Sequence, residues 1–221
     1  MGKIAAFILA AGFSRRMNED KLMLPLGEEP LGLRSIKTAL QSDVDYVYVL
    51  VKDKEIPFYT QVNHTGRLQF ITNPVAKEGQ SASIKLSAKM AMDSQFDGLI
   101  VLLADQPLLT PKHINRLIKA FHREEERDTI DFVVSEHNGV IQPPIFCHKR
   151  RFIDLLSLVG EEGAKKIIVQ TEENRVTRIQ YEDDVAFQDV DTPEDYENVV
   201  NVLRRQDLEV NEGKRNGTDK R

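Results

Sequence analysis

Six apolar residues, Ile4–Leu9, run straight into Ala10, Ala11 and Gly12, and a turn carrying Ser14, Arg15, Arg16 and Lys21 follows. Three positions with almost no side chain leave backbone N–H groups bare, so a ligand can lie against them. Arginine offers a planar fork suited to phosphate, and lysine a mobile point charge. The order strand, small residues, cations therefore reads as a phosphate-binding loop. It is neither of the two common glycine-rich phosphate loops: no G-x-x-x-x-G-K-[ST] and no G-x-G-x-x-G occurs in the chain.

A second reactive position stands at Asp105, directly after the apolar run 99–103 and before Gln106-Pro107. A carboxylate at a strand end is costly to desolvate without a partner. A divalent cation is a natural partner, and nucleotide phosphates bring Mg²⁺ with them. The blander role for such an aspartate is to cap a turn. Asp189 and Asp191 end another apolar run, and Thr192-Pro193 then opens a helix whose Glu194 and Asp195 complement its dipole. Gly79, Gln80, Ser81 and Ser83 precede or begin a further amphipathic stretch, where a helix N-terminus can donate to a phosphate or nucleotide.

These positions need a scaffold that gathers them. Apolar runs alternate with amphipathic segments along the chain, the pattern of stacked βα units. Strands are expected at Ile4–Leu9, Tyr46–Val51, Leu68–Thr72, 99–103, 132–135, 141–146, 176–181 and 185–190. Helices are expected at 33–40, 56–62, 80–92, 111–125, 152–158, 164–171 and 193–205, with Thr110-Pro111 and Thr192-Pro193 as cap-plus-proline starts. In a parallel sheet, ligands bind beyond the carboxyl ends of the strands. The glycine turn and Asp105 are thus expected to face each other across one cleft. Residues 207–221 have only Leu208 and Val210 as aliphatics and no aromatic, so a domain at 1–206 and a disordered tail at 207–221 are expected.

Composition narrows the class. At 221 residues and 41% hydrophobic content, one α/β domain with a full core is expected. The net charge of −5 argues against a nucleic-acid partner. No apolar run nears the ~20 residues a membrane span needs. A single cysteine, Cys147, suits a reducing, cytoplasmic setting.

Taken together, the motifs resemble those of the molybdenum-cofactor cytidylyltransferase and MobA-like NTP transferase family. Leu9-Ala10-Ala11-Gly12, Ser14-Arg15-Arg16-Met17, Lys21 and Leu24-Pro25 match the first signature, with Asn18 where glycine is usual. Residues 102–107 match the family's Asp-Gln-Pro motif, and residues 189–195 its closing Asp-Thr-Pro motif. Gly79, Gln80, Ser83 and Ile84 match a third. The resemblance implies a three-layer, Rossmann-like nucleotidyltransferase fold, with a mostly parallel central sheet and helices on both faces. It implies Leu9, Ala10, Ala11, Gly12, Ser14, Lys21, Gly79, Gln80 and Ser83 as nucleotide contacts. Lys21, Arg15, Arg16 and Asp105 become the catalytic set. Asp105 and Asp191, with Asp189 in reserve, would bind Mg²⁺ or Mn²⁺. Gln142, Pro143, Glu161 and Gly163 would border the acceptor. Two of these segments depart from the family: Ile141-Gln142 replace a glycine, and Glu161 replaces an aspartate. Ala11, where the guanylyl branch has a second glycine, points to CTP. The implied partners are an NTP, a molybdopterin-type cofactor and a xanthine-dehydrogenase-like molybdoenzyme. A sugar phosphate as acceptor, or a non-catalytic molybdopterin-carrying protein, are the alternatives.

Overall fold

The computed structural model describes residues 2–12, 20–52, 62, 66–125, 129–182 and 185–217. A seven-stranded sheet runs through its centre. The strands are β1 (Ile4–Leu9), β4 (Tyr46–Val51), β5 (Leu68–Thr72), β6 (Gly98–Leu103), β7 (Phe132–His137), β8 (Val140–His148) and β9 (Val176–Gln180). The two remaining strands, β2 (Pro25–Leu26) and β3 (Glu29–Pro30), form a small separate ribbon. The sheet order is β5-β4-β1-β6-β8-β7-β9. Strands β5, β4, β1 and β6 pair in parallel, β8 is antiparallel to both of its neighbours, and β9 is parallel to β7. The expectation of a mostly parallel sheet holds, with β8 as the reversed strand.

Strand β1 shows why both faces are covered. All six of its residues are buried. Ile4, Ala6 and Ile8 pack with α1 (Leu31–Leu40), α3 (Pro111–Glu125) and, through Val199, α6 (Pro193–Gly217). Ala5, Phe7 and Leu9 pack with α2 (Gln80–Asp93), α4 (Phe152–Leu155) and α5 (Lys165–Ile168). Side chains alternate across a strand, so a run that is apolar at every position must be buried on two sides. Phe121 of α3 meets Phe146 of β8 at 4.3 Å between ring centres.

Both threonine–proline starts are real, with different capping. Thr192 Oγ1 accepts the Asp195 N–H at 3.2 Å, while Asp195 Oδ2 accepts from Thr192 N at 2.8 Å. This is a reciprocal capping box. At α3 the Thr110 side chain instead meets His113 Nδ1 at 3.0 Å.

Three expectations are corrected. Residues 185–190 form no strand: Ala186, Phe187 and Val190 are buried as an irregular segment, and Val190 N donates to Asp105 O at 3.0 Å. An apolar run can be buried without joining a ladder. The last helix does not end near 205 but continues to Gly217, into the stretch 207–221 expected as a disordered tail. Leu208, Glu209, Glu212, Lys214 and Arg215 favour helix by intrinsic propensity. The helices expected at 152–158 and 164–171 shorten to single turns, Phe152–Leu155 and Lys165–Ile168. The helix expected at 56–62 falls, except for Val62, outside the described residues.

Candidate active site

Strand β1 lies between β4 and β6, and all three run the same way, so their following loops emerge at one end. Pairing continues past the strand: Ala10 N donates to Leu50 O at 2.9 Å, and Ala104 N to Leu9 O at 3.2 Å. The glycine turn and the Asp105 loop are therefore neighbours. Between them opens a cleft of about 400 Å³, lined on this side by Leu9, Ala11, Gly12, Leu103, Asp105, Asp189 and Asp191. A smaller recess against Ala10, Lys21 and Leu22 shares Leu9, Gly12 and Asp105 with it.

Lys21 sits in a short 3₁₀ turn, Lys21–Met23, opened by Asp20, whose Oδ1 accepts from Leu22 N. Its ammonium reaches two carboxylates far away in sequence. Nζ donates to Asp105 Oδ2 at 2.6 Å and to Asp191 Oδ1 at 2.7 Å. The Lys21 and Asp105 side chains are 11% and 19% exposed, that of Asp191 51%. Burial works against the Lys21 charge, but Asp105 and Asp191 outweigh it and hold its pKa above the ordinary lysine value. The Asp189 carboxyl is pushed up to about 6, first by loss of solvent and then by the neighbouring Asp105 charge, although the residue as a whole is exposed.

The Asp105 loop is clamped from α1. Arg34 Nε donates to Pro107 O at 3.3 Å, Ser35 Oγ to Ala104 O at 3.1 Å, and Thr38 Oγ1 to Leu109 O at 3.1 Å. Gln106, 1% exposed, reaches Phe187 O with a long hydrogen bond of 3.5 Å. With the Val190–Asp105 backbone bond, it ties the Asp105 loop to the segment carrying Asp189 and Asp191.

Whether these residues suit a metal ion turns on one atom. Among the described residues, no three His, Cys, Asp or Glu side chains are grouped to hold an ion by themselves. Asp105 Oδ1, however, is buried and has no hydrogen-bond partner there. Mg²⁺ takes one or two carboxylates and completes its octahedron with phosphate oxygens and water. Asp105 with Asp191 fits that incomplete donor set.

The opposite wall is built by Ala76, Lys77, Gly79, Gln80, Ser83 and Glu161. Gly79 has φ +106°, and a Cβ there would fall 2.3 Å from Gly160 O. Only glycine meets both demands. The start of α2 is not the open donor set expected from sequence. Ser81 N donates to Gly160 O at 3.0 Å and Gln80 N to Glu161 Oε2 at 3.2 Å, so these N–H groups are already satisfied within the chain. Ser81 is no cap; Gly79 holds that place without a side-chain bond. Gln80 and Ser83 still line the cleft.

Of the acceptor-side residues, Glu161 lines the cleft and Gly163 lies against Gln80, where an added Cβ would stand 3.1 Å from Oε1. Gln142 and Pro143 lie on β8 and are not among the lining residues. Ser14, Arg15 and Arg16 fall outside the described residues.

Two residues at the cleft, Lys77 and Asn73, were not among those read from the sequence. Lys77 lines the cleft. Asn73, 2% exposed, donates to Ser83 Oγ at 3.0 Å while Val75 N donates to its Oδ1 at 3.2 Å. The Asn73-Pro74 pair after a strand was the available signal for a turn with a job.

Comparison with known proteins bears on the family and the fold. The model of the MobA-like NTP transferase domain matches residues 6–176. The chain is 34% identical over 201 residues to the purine catabolism protein PucB of Bacillus subtilis (strain 168), covering 88% of this chain and 95% of PucB. It is 23% identical over 196 residues to the molybdenum cofactor cytidylyltransferase of Escherichia coli (strain K12), covering 89% and 95%. Its fold matches the crystal structure of an Rv0371c homologue from Mycobacterium sp. strain JC1 with a TM-score of 0.74 and 27% identity, over 92% of this chain and 98% of that one.

Proposed function

The chain belongs to the MobA-like NTP transferase family, and on that premise we propose that it transfers a cytidylyl group from CTP to the phosphate of a molybdopterin-type cofactor, with Mg²⁺ as the working ion. The observation that carries this reading is the cleft that Leu9, Ala11 and Gly12 line together with Asp105, Asp189 and Asp191, with Lys21 bridging two of these acids. Ala11 and the similarity to a molybdenum cofactor cytidylyltransferase favour the cytosine base. The likeness to a purine catabolism protein favours a xanthine-dehydrogenase-like enzyme as the final user of the product.

The chemistry needs positioning and charge neutralisation rather than a protein nucleophile. An oxygen of the acceptor phosphate attacks the α-phosphorus in line, the bond to the β-phosphate oxygen breaks, and pyrophosphate leaves. A phosphomonoester has its second pKa near ~6, so the attacking group is already largely dianionic and no strong base is required. Ala11 and Gly12 present backbone N–H groups to the nucleotide, with Leu9 and Ala10 beside them and Ala10 N already bonded to Leu50 O. Asp105 and Asp191 hold the metal ion, with Asp189 beside them. Lys21, with one of Arg15 or Arg16, offsets charge on the α-phosphate and the departing pyrophosphate. Glu161 and Gly163 stand at the acceptor side. Mg²⁺, when bound, neutralises phosphate charge and aligns the triphosphate.

The test is turnover. Purified protein is offered CTP, GTP or ATP with molybdopterin and Mg²⁺ or Mn²⁺, and pyrophosphate release is followed. Release with CTP above the other two is the expected result. Release only with a sugar phosphate as acceptor would replace the acceptor, and no release from folded protein with any pair would remove the proposal.

A further inference from the structure

We propose that Lys21 is a built-in counter-ion that occupies the acidic pair until a metal–nucleotide complex arrives, so that the site takes up the divalent ion together with the triphosphate rather than alone. The inference deepens the proposed function and rests on its assignment of Asp105 and Asp191. Their two oxygens are held by one ammonium at 2.6 and 2.7 Å, from a side chain that is 11% exposed. Four carboxylates, from Asp105, Glu161, Asp189 and Asp191, line the cleft. Bringing Asp105 and Asp191 together without a cation would set like charges side by side in a partly dry space. Lys21 removes that conflict while no ligand is bound. It also leaves Asp105 Oδ1 without a hydrogen-bond partner among the described residues, because one ammonium at Oδ2 does not complete the carboxylate.

A divalent ion arriving alone must compete with Lys21 for these two acids and brings no phosphate to take the ammonium in exchange. An ion arriving on a triphosphate meets a different balance. The phosphates supply the anion to which Lys21 can turn, its flexible stem allows the move, and the acids pass to the metal. Lys21 thus exchanges one set of oxygens for another, and the exchange couples the two ligands.

The experiment uses the full chain and Mn²⁺ as the probe, with calorimetric titration in the absence and presence of a non-hydrolysable CTP analogue. Removing the ammonium in Lys21→Met is expected to tighten binding of Mn²⁺ alone by about tenfold or more. With the analogue present, the same substitution is expected to weaken Mn²⁺ binding relative to wild type. Should Lys21→Met fail to fold, amine labelling of the wild type gives the answer. Acetylation of Lys21, read by peptide mass, should be slow in apo protein, rise with saturating Mn²⁺ alone, and fall again when the analogue is added. A folded Lys21→Met that binds Mn²⁺ alone no more tightly than wild type, or labelling indifferent to bound Mn²⁺, overturns the counter-ion role while leaving the proposed function standing. Binding of neither Mn²⁺ nor nucleotide to wild type overturns both.

Discussion

Two carboxylates, Asp105 and Asp131, stand at opposite ends of the same sheet and are partnered in opposite ways. Asp131 precedes β7, which runs in the same sense as β6, so it lies at the end away from the cleft. It is 1% exposed and saturated. Arg175 grips it with two hydrogen bonds of 2.7 and 2.8 Å, and Arg150 Nε stands 2.9 Å from Oδ1. Asp105 has one oxygen on a lysine and the other buried, with no hydrogen-bond partner among the described residues. Arginine's fork fills a carboxylate, whereas a lysine leaves capacity over. The saturated acid is a structural joint between β7, β8 and the turn before β9. The unsaturated one keeps an acceptor atom open beside the cleft.

The sharpest way to break this comparison is to neutralise each acid in turn. Asp105→Asn is expected to lower kcat by roughly 10³-fold, about 4 kcal/mol of transition-state stabilisation. Its melting temperature should stay unchanged or rise, since Lys21 keeps Asp191 and a like charge near Asp189 is gone; steady-state rates and thermal unfolding read the two effects. Asp131→Asn should do the reverse. It removes the one buried carboxylate charge on which Arg150 and Arg175 converge, costs about 3 kcal/mol, and lowers the melting temperature by roughly 6–12 °C, with activity per folded molecule intact. If Asp131→Asn were the variant that lost catalysis at unchanged stability, the division between joint and site would be wrong.

Gly79→Ala probes the wall between these extremes. The added methyl meets Gly160 O, and the residue must hold φ +106°. A cost of about 2 kcal/mol is expected. Nucleotide affinity should fall as well, because Gln80 and Ser83 start from that turn, and a nucleotide titration beside a melting curve separates the two. The smallest effect belongs to Asp97, which shares the far end with Asp131. Lys149 donates to it at 2.7 Å and holds its carboxyl below the usual range. A depressed folded pKa gives stability that is present above the unfolded value near ~4 and lost as pH falls through the folded one. The loss should stay below about 1 kcal/mol and shrink in high salt, since the Lys149 side chain is largely exposed. Acid titration of Asp97→Asn against wild type would show it.

What could be read without coordinates was local. The glycine turn, the Asp105 position, the threonine–proline helix starts and the strands of the parallel half follow from residues a few places apart. Periodicity and backbone restriction act at that range. The run 185–190 misled because burial and strand pairing leave the same apolar mark. The start of α2 misled because a helix N-terminus looks open until something is packed on it; here Gly160 and Glu161 occupy it.

By itself, then, the amino-acid order determined which groups are present: small residues beyond β1, an acid beyond β6, two more acids before the last helix, and a lysine. It also determined the layered class, because strands apolar at every position demand cover on two faces. Only the tertiary structure decided who meets whom. Lys21 lies 84 residues from Asp105 and 170 from Asp191, yet one ammonium touches both. No sequence spacing encodes such a contact. It exists because parallel pairing of β1 with β6 brings their loops to one edge, and because the segment after β9 returns to bond with the Asp105 backbone.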